Sequence, residues 1–249
     1  MIRHAIFFML GLLILPPVIA DTVVRYTISD GLSSQVDKRI AYVANGMVRV
    51  VNTAGRIEPE AIFDSNTGNL TLIDHQQKSY IKVNEAELTA MAGQIKNLLD
   101  SVMSELPFNN PLAPSESKRS VKHSGIQRRV AGISCELYEI QINGLKESEV
   151  CIAKSNRLDI SPNDYLTLEN LYKTGDKLAR TARETVGQSL GPIPEFGAGD
   201  LGGLPVYIMS DASGSQLELT LTEIGSELVS AEYFKIPEGY QQQSLPSLL

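Results

Sequence analysis

Six short segments with alternating apolar and polar residues constrain this chain more than any other feature. Val24, Tyr26 and Ile28 alternate with Arg25 and Thr27. Arg39 to Ala44, Met47 to Asn52, Ala61 to Asp64, Leu70 to Asp74 and Ser79 to Val83 follow. Turn residues punctuate them: Asn45-Gly46, Asn66-Thr67-Gly68-Asn69 and His75-Gln76-Gln77-Lys78. A period of two gives each strand one apolar side. A parallel crossover needs a dozen or more residues, so connections this short join antiparallel neighbours. The spacing predicts an antiparallel meander.

A second hairpin carries the only two cysteines. Ser134 to Gln141 alternates, Asn143-Gly144 is a strong turn signal, and Leu145 to Ala153 reads as the return strand. A two-residue loop sets Cys135 opposite Ile152. A three-residue loop, Ile142-Asn143-Gly144, sets it opposite Cys151, where facing Cβ atoms are close enough to bridge. The bulged three-residue loop and a Cys135–Cys151 disulfide are therefore expected. The wide gap and the lack of an adjacent basic residue do not suit a redox dithiol.

Elsewhere the period changes. Leu88, Met91, Ala92, Ile95, Leu98, Leu99, Val102, Met103 and Leu106 make one helical stripe, opened by Asn84 and Glu87 at capping-box spacing and stopped by Pro107. A surface loop over Phe108 to Ser117 follows. Strands resume at Ser120 to Lys122, turn at Ser124-Gly125, and continue over Gln127 to Ala131. A second helix starts with Ser161 as N-cap, Pro162 at the first position and Asp164 on the positive dipole end. Its stripe is Tyr165, Leu168, Tyr172, Ala179, Ala182 and Val186. Leu190 to Leu204 reads as a long loop, with Gly197 to Gly203 a flexible connector. Three strands close the chain: Pro205 to Ser210, Gln216 to Thr222 and Leu228 to Tyr233. The expected class is α+β, a curved antiparallel sheet whose apolar side is covered by two helices.

Residues 1–20 have the three parts of an export signal: Arg3 and His4, the apolar run Ala5 to Leu15, and small residues ending at Ala20. The run is about half of what a spanning helix needs. Cleavage after Ala20 is expected, leaving residues 21–249 as a single domain in a compartment where a disulfide persists. No later stretch is apolar enough to cross a bilayer, so an integral membrane protein is not expected. The formal net charge of −7 repels phosphate and excludes a basic nucleic-acid binder.

The order of motifs resembles that of an uncharacterised exported bacterial family, a domain of unknown function with the half-barrel fold of periplasmic lipoprotein carriers (LolA/LolB-like). The resemblance is carried by Tyr42 to Arg49, Leu70 to Asp74 with Lys78-Ser79-Tyr80, Val130-Ala131-Gly132 before Cys135 and Tyr138, and Phe234 to Tyr240. It implies a periplasmic, non-enzymatic binding or carrier module whose concave side takes a lipid or acyl chain. The alternative is a protein-interaction or envelope-sensing module with an envelope protein partner and no small ligand. Candidate ligand contacts on this resemblance are Arg49, Tyr26, Tyr138 and Leu219; for Arg49 a solvated strand residue is the plainer reading.

Catalytic and metal chemistry find no support in the spacing. His75 and His123 adjoin turns and lack ligand-spaced partners. No nucleophile elbow is present, and the glycines of Gly197 to Gly203 lack the Gly-Lys-Ser/Thr ending of a phosphate loop. The reading is of a non-enzyme without cofactor.

Overall fold

The computed structural model describes residues 21–31, 36–53, 60–84, 86–87, 89–90, 118–186, 197–211 and 216–244. The expected signal segment, its cleavage position Ala20 and the surface loop over Phe108 to Ser117 lie outside these. So does most of the first helix; residues 86–87 and 89–90 are helical. Its cap is described: Asn84 Oδ1 accepts the Glu87 N–H at 2.9 Å and Glu87 Oε2 accepts the Asn84 N–H at 3.1 Å. That is the reciprocal pair a capping box supplies.

Among the described residues twelve strands form one sheet. They are β1 (Asp21–Asp30), β2 (Val36–Ala44), β3 (Met47–Asn52), β4 (Glu60–Asp64), β5 (Asn69–Asp74), β6 (Ser79–Val83), β7 (Arg119–Val130), β8 (Ile133–Ile142), β9 (Leu145–Ala153), β10 (Leu204–Ser210), β11 (Leu217–Glu227) and β12 (Gln241–Gln243). Their spatial order is β12-β6-β5-β4-β3-β2-β1-β11-β10-β9-β8-β7, so the sheet is open with β12 and β7 at its edges. Every pairing is antiparallel except β12 with β6. One described helix, α1 (Pro162–Val186), lies against it. The Asp164 N–H donates to Ser161 Oγ at 3.1 Å, the expected N-cap.

The sheet curves. Arg128 on β7 stacks its guanidinium 4.3 Å from the centre of the Tyr207 ring on β10. In a flat sheet these two strands would stand about 14 Å apart. Facing residues share a side, so the register traces an apolar side across the molecule. Phe63, Val48, Val43 and Ala41 lead to Val24, Tyr26 and Leu221, all buried. Tyr165 and Leu168 of α1 join this core. A second row runs from Ile28 through Leu219, Ile208 and Val150 to Tyr138. In β9, Val150, Cys151, Ile152 and Ala153 are all buried, so this strand is covered on both sides.

Cys135 and Cys151 form the disulfide, with Cα atoms 5.4 Å apart. The expected register is corrected. Asn143 and Gly144 alone make the loop, both left-handed at φ 54° and 81°, and Ile142 faces Leu145. This is the two-residue turn whose twist suits a hairpin. A bulge between Ile140 and Gln141 then shifts the ladder, so Cys151 faces Leu137 and Cys135 bridges to it diagonally.

Three further expectations change. Ser120 to Val130 is one strand, because Gly125 at φ 74° absorbs a bulge where a turn was expected. Leu228 to Tyr233 is not a strand. The ladder of β11 with β1 ends at Glu227 facing Asp21, and the Val229 N–H turns to the Asp21 carboxylate. A 3-10 turn, Ala231–Phe234, follows. The strand β12 was not expected at all.

Candidate functional site

The apolar side of the sheet and the start of α1 meet at the ends of β1 and β11. Thr22, the first inward residue of β1 there, donates its hydroxyl to Asp164 Oδ2 at 2.7 Å. Two turns along the helix, Tyr172 donates to the Tyr26 hydroxyl at 3.1 Å, and Tyr26 donates to the Pro205 carbonyl at 3.3 Å. This relay ties α1, β1 and β10 together and satisfies both phenols, Tyr26 buried and Tyr172 partly so. Burial pushes the Tyr26 hydroxyl well above its usual range. The Tyr172 hydroxyl is likewise pushed up by burial, to about 12. Low dielectric disfavours a phenolate in both.

Thr22, Asp159, Ile160, Ser161, Asp164, Ile224, Gly225 and Ser226 enclose a cleft of about 270 Å3. Hydroxyls and carboxylates dominate its walls, and Ile160 and Ile224 are its apolar residues. A continuous apolar cavity of the kind an acyl chain would fill is a different thing.

The four candidate contacts divide. Tyr26, Leu219 and Tyr138 share the apolar side. Leu219 and Tyr138 pack on the same small cluster of Ile140, Val150, Ile152 and Ile208. The Tyr138 hydroxyl donates to Glu136 at 3.0 Å, and burial raises its pKa, with that carboxylate adding to the shift. Arg49 stands on the opposite side of β3, facing Tyr42 and Ile62. It is neither solvated nor near the other three. Only 8% exposed, it donates to the Glu60 carboxylate and to the Tyr233 carbonyl at 2.5 Å, and stacks 4.6 Å over the Tyr233 ring. Tyr233 also meets Tyr42 edge-on at 5.0 Å. Arg49 therefore clamps the C-terminal segment to the sheet.

His75 belongs to the same clamp: one ring nitrogen lies 2.7 Å from the Tyr240 hydroxyl, the other 3.2 Å from Glu60. His123 packs on Tyr138, ring centres 4.9 Å apart. Among the described residues no group of three His, Cys, Asp or Glu side chains is placed to hold a metal ion.

Sequence reasoning passed over Asp176. This helix residue is 4% exposed and accepts the N–H groups of Gly197 at 3.1 Å and Gly199 at 2.6 Å. Arg119 and Arg180 pair with Asp200 beside it. The glycine run read as a flexible connector is thus pinned to α1. A Cβ on Gly199 would come within 2.7 Å of the Lys173 backbone, so glycine serves close approach there. The signal was present: Asp176 follows Tyr172 by four residues and lies on the helix's inward stripe.

No protein-family model matches the chain, and neither does any curated protein sequence. Among solved structures it is similar to PNGF-II, at a TM-score of 0.45 and 9% identity over 92% of this chain, spanning only 32% of that protein. It is similar to the Pseudomonas aeruginosa MucA/MucB complex, at a TM-score of 0.38 and 9% identity over 87% of this chain and 55% of that one. It is similar to a LolA superfamily protein from Nitrosomonas europaea, at a TM-score of 0.29 and 7% identity over 88% of this chain and 91% of that one.

Proposed function

We propose that this chain is an exported, periplasmic, non-enzymatic binding or carrier module for a lipid or other acyl-bearing ligand. The supporting observation is the open sheet itself. Its apolar side runs laterally from Phe63 through Val24 and Leu221 and on to Ile208, Val150 and Tyr138, and its two edge strands do not pair with each other. An open apolar sheet can admit a chain-like ligand between itself and the elements that cover it. Tyr26, Tyr138 and Leu219 are then contacts for the apolar part of the ligand. Arg49 lies on the opposite side of β3, where it clamps the C-terminal segment and does not line this apolar side. The polar cleft at Thr22 and Asp164 sits where a hydroxyl-bearing or cationic head group would be met by carboxylates.

In this reading residues 1–20 direct export and are removed after Ala20, and the rest acts as one domain. Native mass spectrometry of protein from the periplasm tests both parts. The expected species begins at Asp21 and carries an adduct of lipid mass that organic extraction releases. A retained N-terminus sinks the export reading; an adduct-free protein sinks the ligand reading. A protein-interaction module without a ligand is the second reading, favoured by the polarity of the cleft. It expects a stable protein complex and no lipid in the same spectra.

A further inference from the structure

We propose that the outer edge of β7 is a docking strand for an acidic, extended segment of another polypeptide. The segment Lys118 to Val130 carries Lys118, Arg119, Lys122, Arg128 and Arg129 and no acidic residue, in a chain whose formal net charge is −7. It is the longest of the described strands, twelve residues, lacks proline, and forms an edge of the described sheet. Lys122, Arg128 and Arg129 are exposed, as are Val121 at 37% and Ile126 at 54%. Among the described residues no carboxylate pairs with Lys122, Arg128 or Arg129.

Among the described residues no strand pairs with this outer edge, and the backbone groups left without a ladder partner there can be located. At one end Lys118 exchanges bonds with Asn143, its carbonyl accepting the Asn143 N–H at 2.8 Å and its N–H donating to Asn143 Oδ1 at 2.9 Å. Lys118, Ser120 and Lys122 therefore turn inward to β8, and Val121 turns outward. At the other end Ala131 and Gly132, both left-handed, close a two-residue turn with Val130 facing Ile133. Val130 and Arg128 bond inward, so Gln127 and Arg129 present their N–H and C=O groups outward. Either side of the Gly125 bulge thus offers a short run of free ladder positions. Lys122 flanks that edge on one side of the sheet and Arg129 on the other, while Arg128 reaches back over the sheet to the Tyr207 ring.

Such an edge recruits a strand by main-chain pairing, and its side chains select the strand. A second copy of this chain would set cations against cations, which disfavours self-pairing and favours an acidic partner. Backbone pairing in addition to charge is what separates a peptide from an anionic membrane.

The test titrates the purified full chain with a synthetic peptide of about twelve residues in which glutamate alternates with valine, the length matching β7. A peptide of equal charge interrupted by prolines and vesicles of phosphatidylglycerol are the controls. The alternating peptide is expected to bind, protecting the amides of Val121, Gln127 and Arg129 from hydrogen exchange. The proline-interrupted peptide and the doubly reversed variant Lys122→Glu, Arg129→Glu are each expected to weaken binding about tenfold or more. Gln127→Pro, which removes an outward N–H an edge strand can spare, should weaken binding without lowering the melting temperature. Equal binding of both peptides, vesicle binding without peptide binding, or a dimer sensitive to the charge reversals overturns the proposal.

Discussion

Arg49 shows how much one buried cation can carry. Its guanidinium satisfies Glu60 from one side and the Tyr233 carbonyl from the other, with the Tyr233 ring stacked over it. Arg49→Ala removes all three and leaves Glu60, whose remaining described partner is His75. Breaking a buried pair from one side costs about 3 kcal/mol. Arg49→Lys should recover only part, since an ammonium cannot fork or stack as a guanidinium does. Thermal melts should rank wild type above Lys above Ala, and hydrogen exchange in the Ala variant should rise at Ala231–Phe234. Asp176 is a residue-scale case with a pH signature. Burial raises its pKa, and the Gly199 and Gly197 N–H groups and Arg119 only partly offset that. A carboxyl whose folded pKa lies above its unfolded value is stabilising while protonated and loses that contribution as pH rises through the folded value. Relative to Asp176→Asn, which cannot titrate, the wild type should therefore gain stability as pH falls from 7 toward the ordinary carboxylate range. A difference in melting temperature that stays flat with pH would remove burial as the governing cause. Asp176→Ala, which strands two N–H donors, should cost about 2 kcal/mol at neutral pH.

At the scale of elements, the Cys135–Cys151 bridge closes a hairpin with a sequence separation of 16. A loop of that size is stabilised by about 3 kcal/mol. Reduction should lower the melting temperature by about 6–12 °C in a domain of this size, while circular dichroism at low temperature keeps its sheet signal. The hairpin also shows what local sequence can reveal. Asn143-Gly144 announced the turn, and two cysteines on one side announced the bridge. The register was not legible, because it depends on a bulge at Ile140 and Gln141 that no turn residue marks. The caps at Asn84 and Ser161 were legible because capping is settled within four residues. β12 was not: its polar Gln241–Gln243 joins the sheet through a parallel pairing with β6, far away in sequence. The same holds for the candidate contacts. Alternation identified Tyr26, Leu219 and Tyr138 as inward residues, but the side on which Arg49 falls depends on the pairing of β3 with its neighbours and on the segment around Tyr233 that returns to cover it.

For the whole molecule, the question is what holds the helix to an open sheet. Closure into a barrel would fix the strands by their ladder alone; here α1 and the elements beside it must do so. The described polar ties on the apolar side are Thr22 to Asp164 and the relay from Tyr172 through Tyr26 to Pro205. Both phenols resist ionisation, Tyr172 up to about 12. Their unfolded pKa is about 10. A phenol held protonated in the fold contributes stability below that value and loses it as pH rises toward the folded value. Unfolding above pH 10 should therefore release protons from both, and stability should fall steeply there. Absorbance titration should show a fraction of the nine tyrosines ionising late, together with the loss of far-ultraviolet circular dichroism. Tyr172→Phe removes one of the two titrating groups and the hydrogen bond to Tyr26. It should cost about 1 kcal/mol at neutral pH and make the alkaline fall in melting temperature shallower than in wild type. An unchanged alkaline slope would mean that the helix can part from the sheet without exposing the tyrosines, and that the packing of Tyr165 and Leu168, not the phenol relay, keeps the apolar side covered.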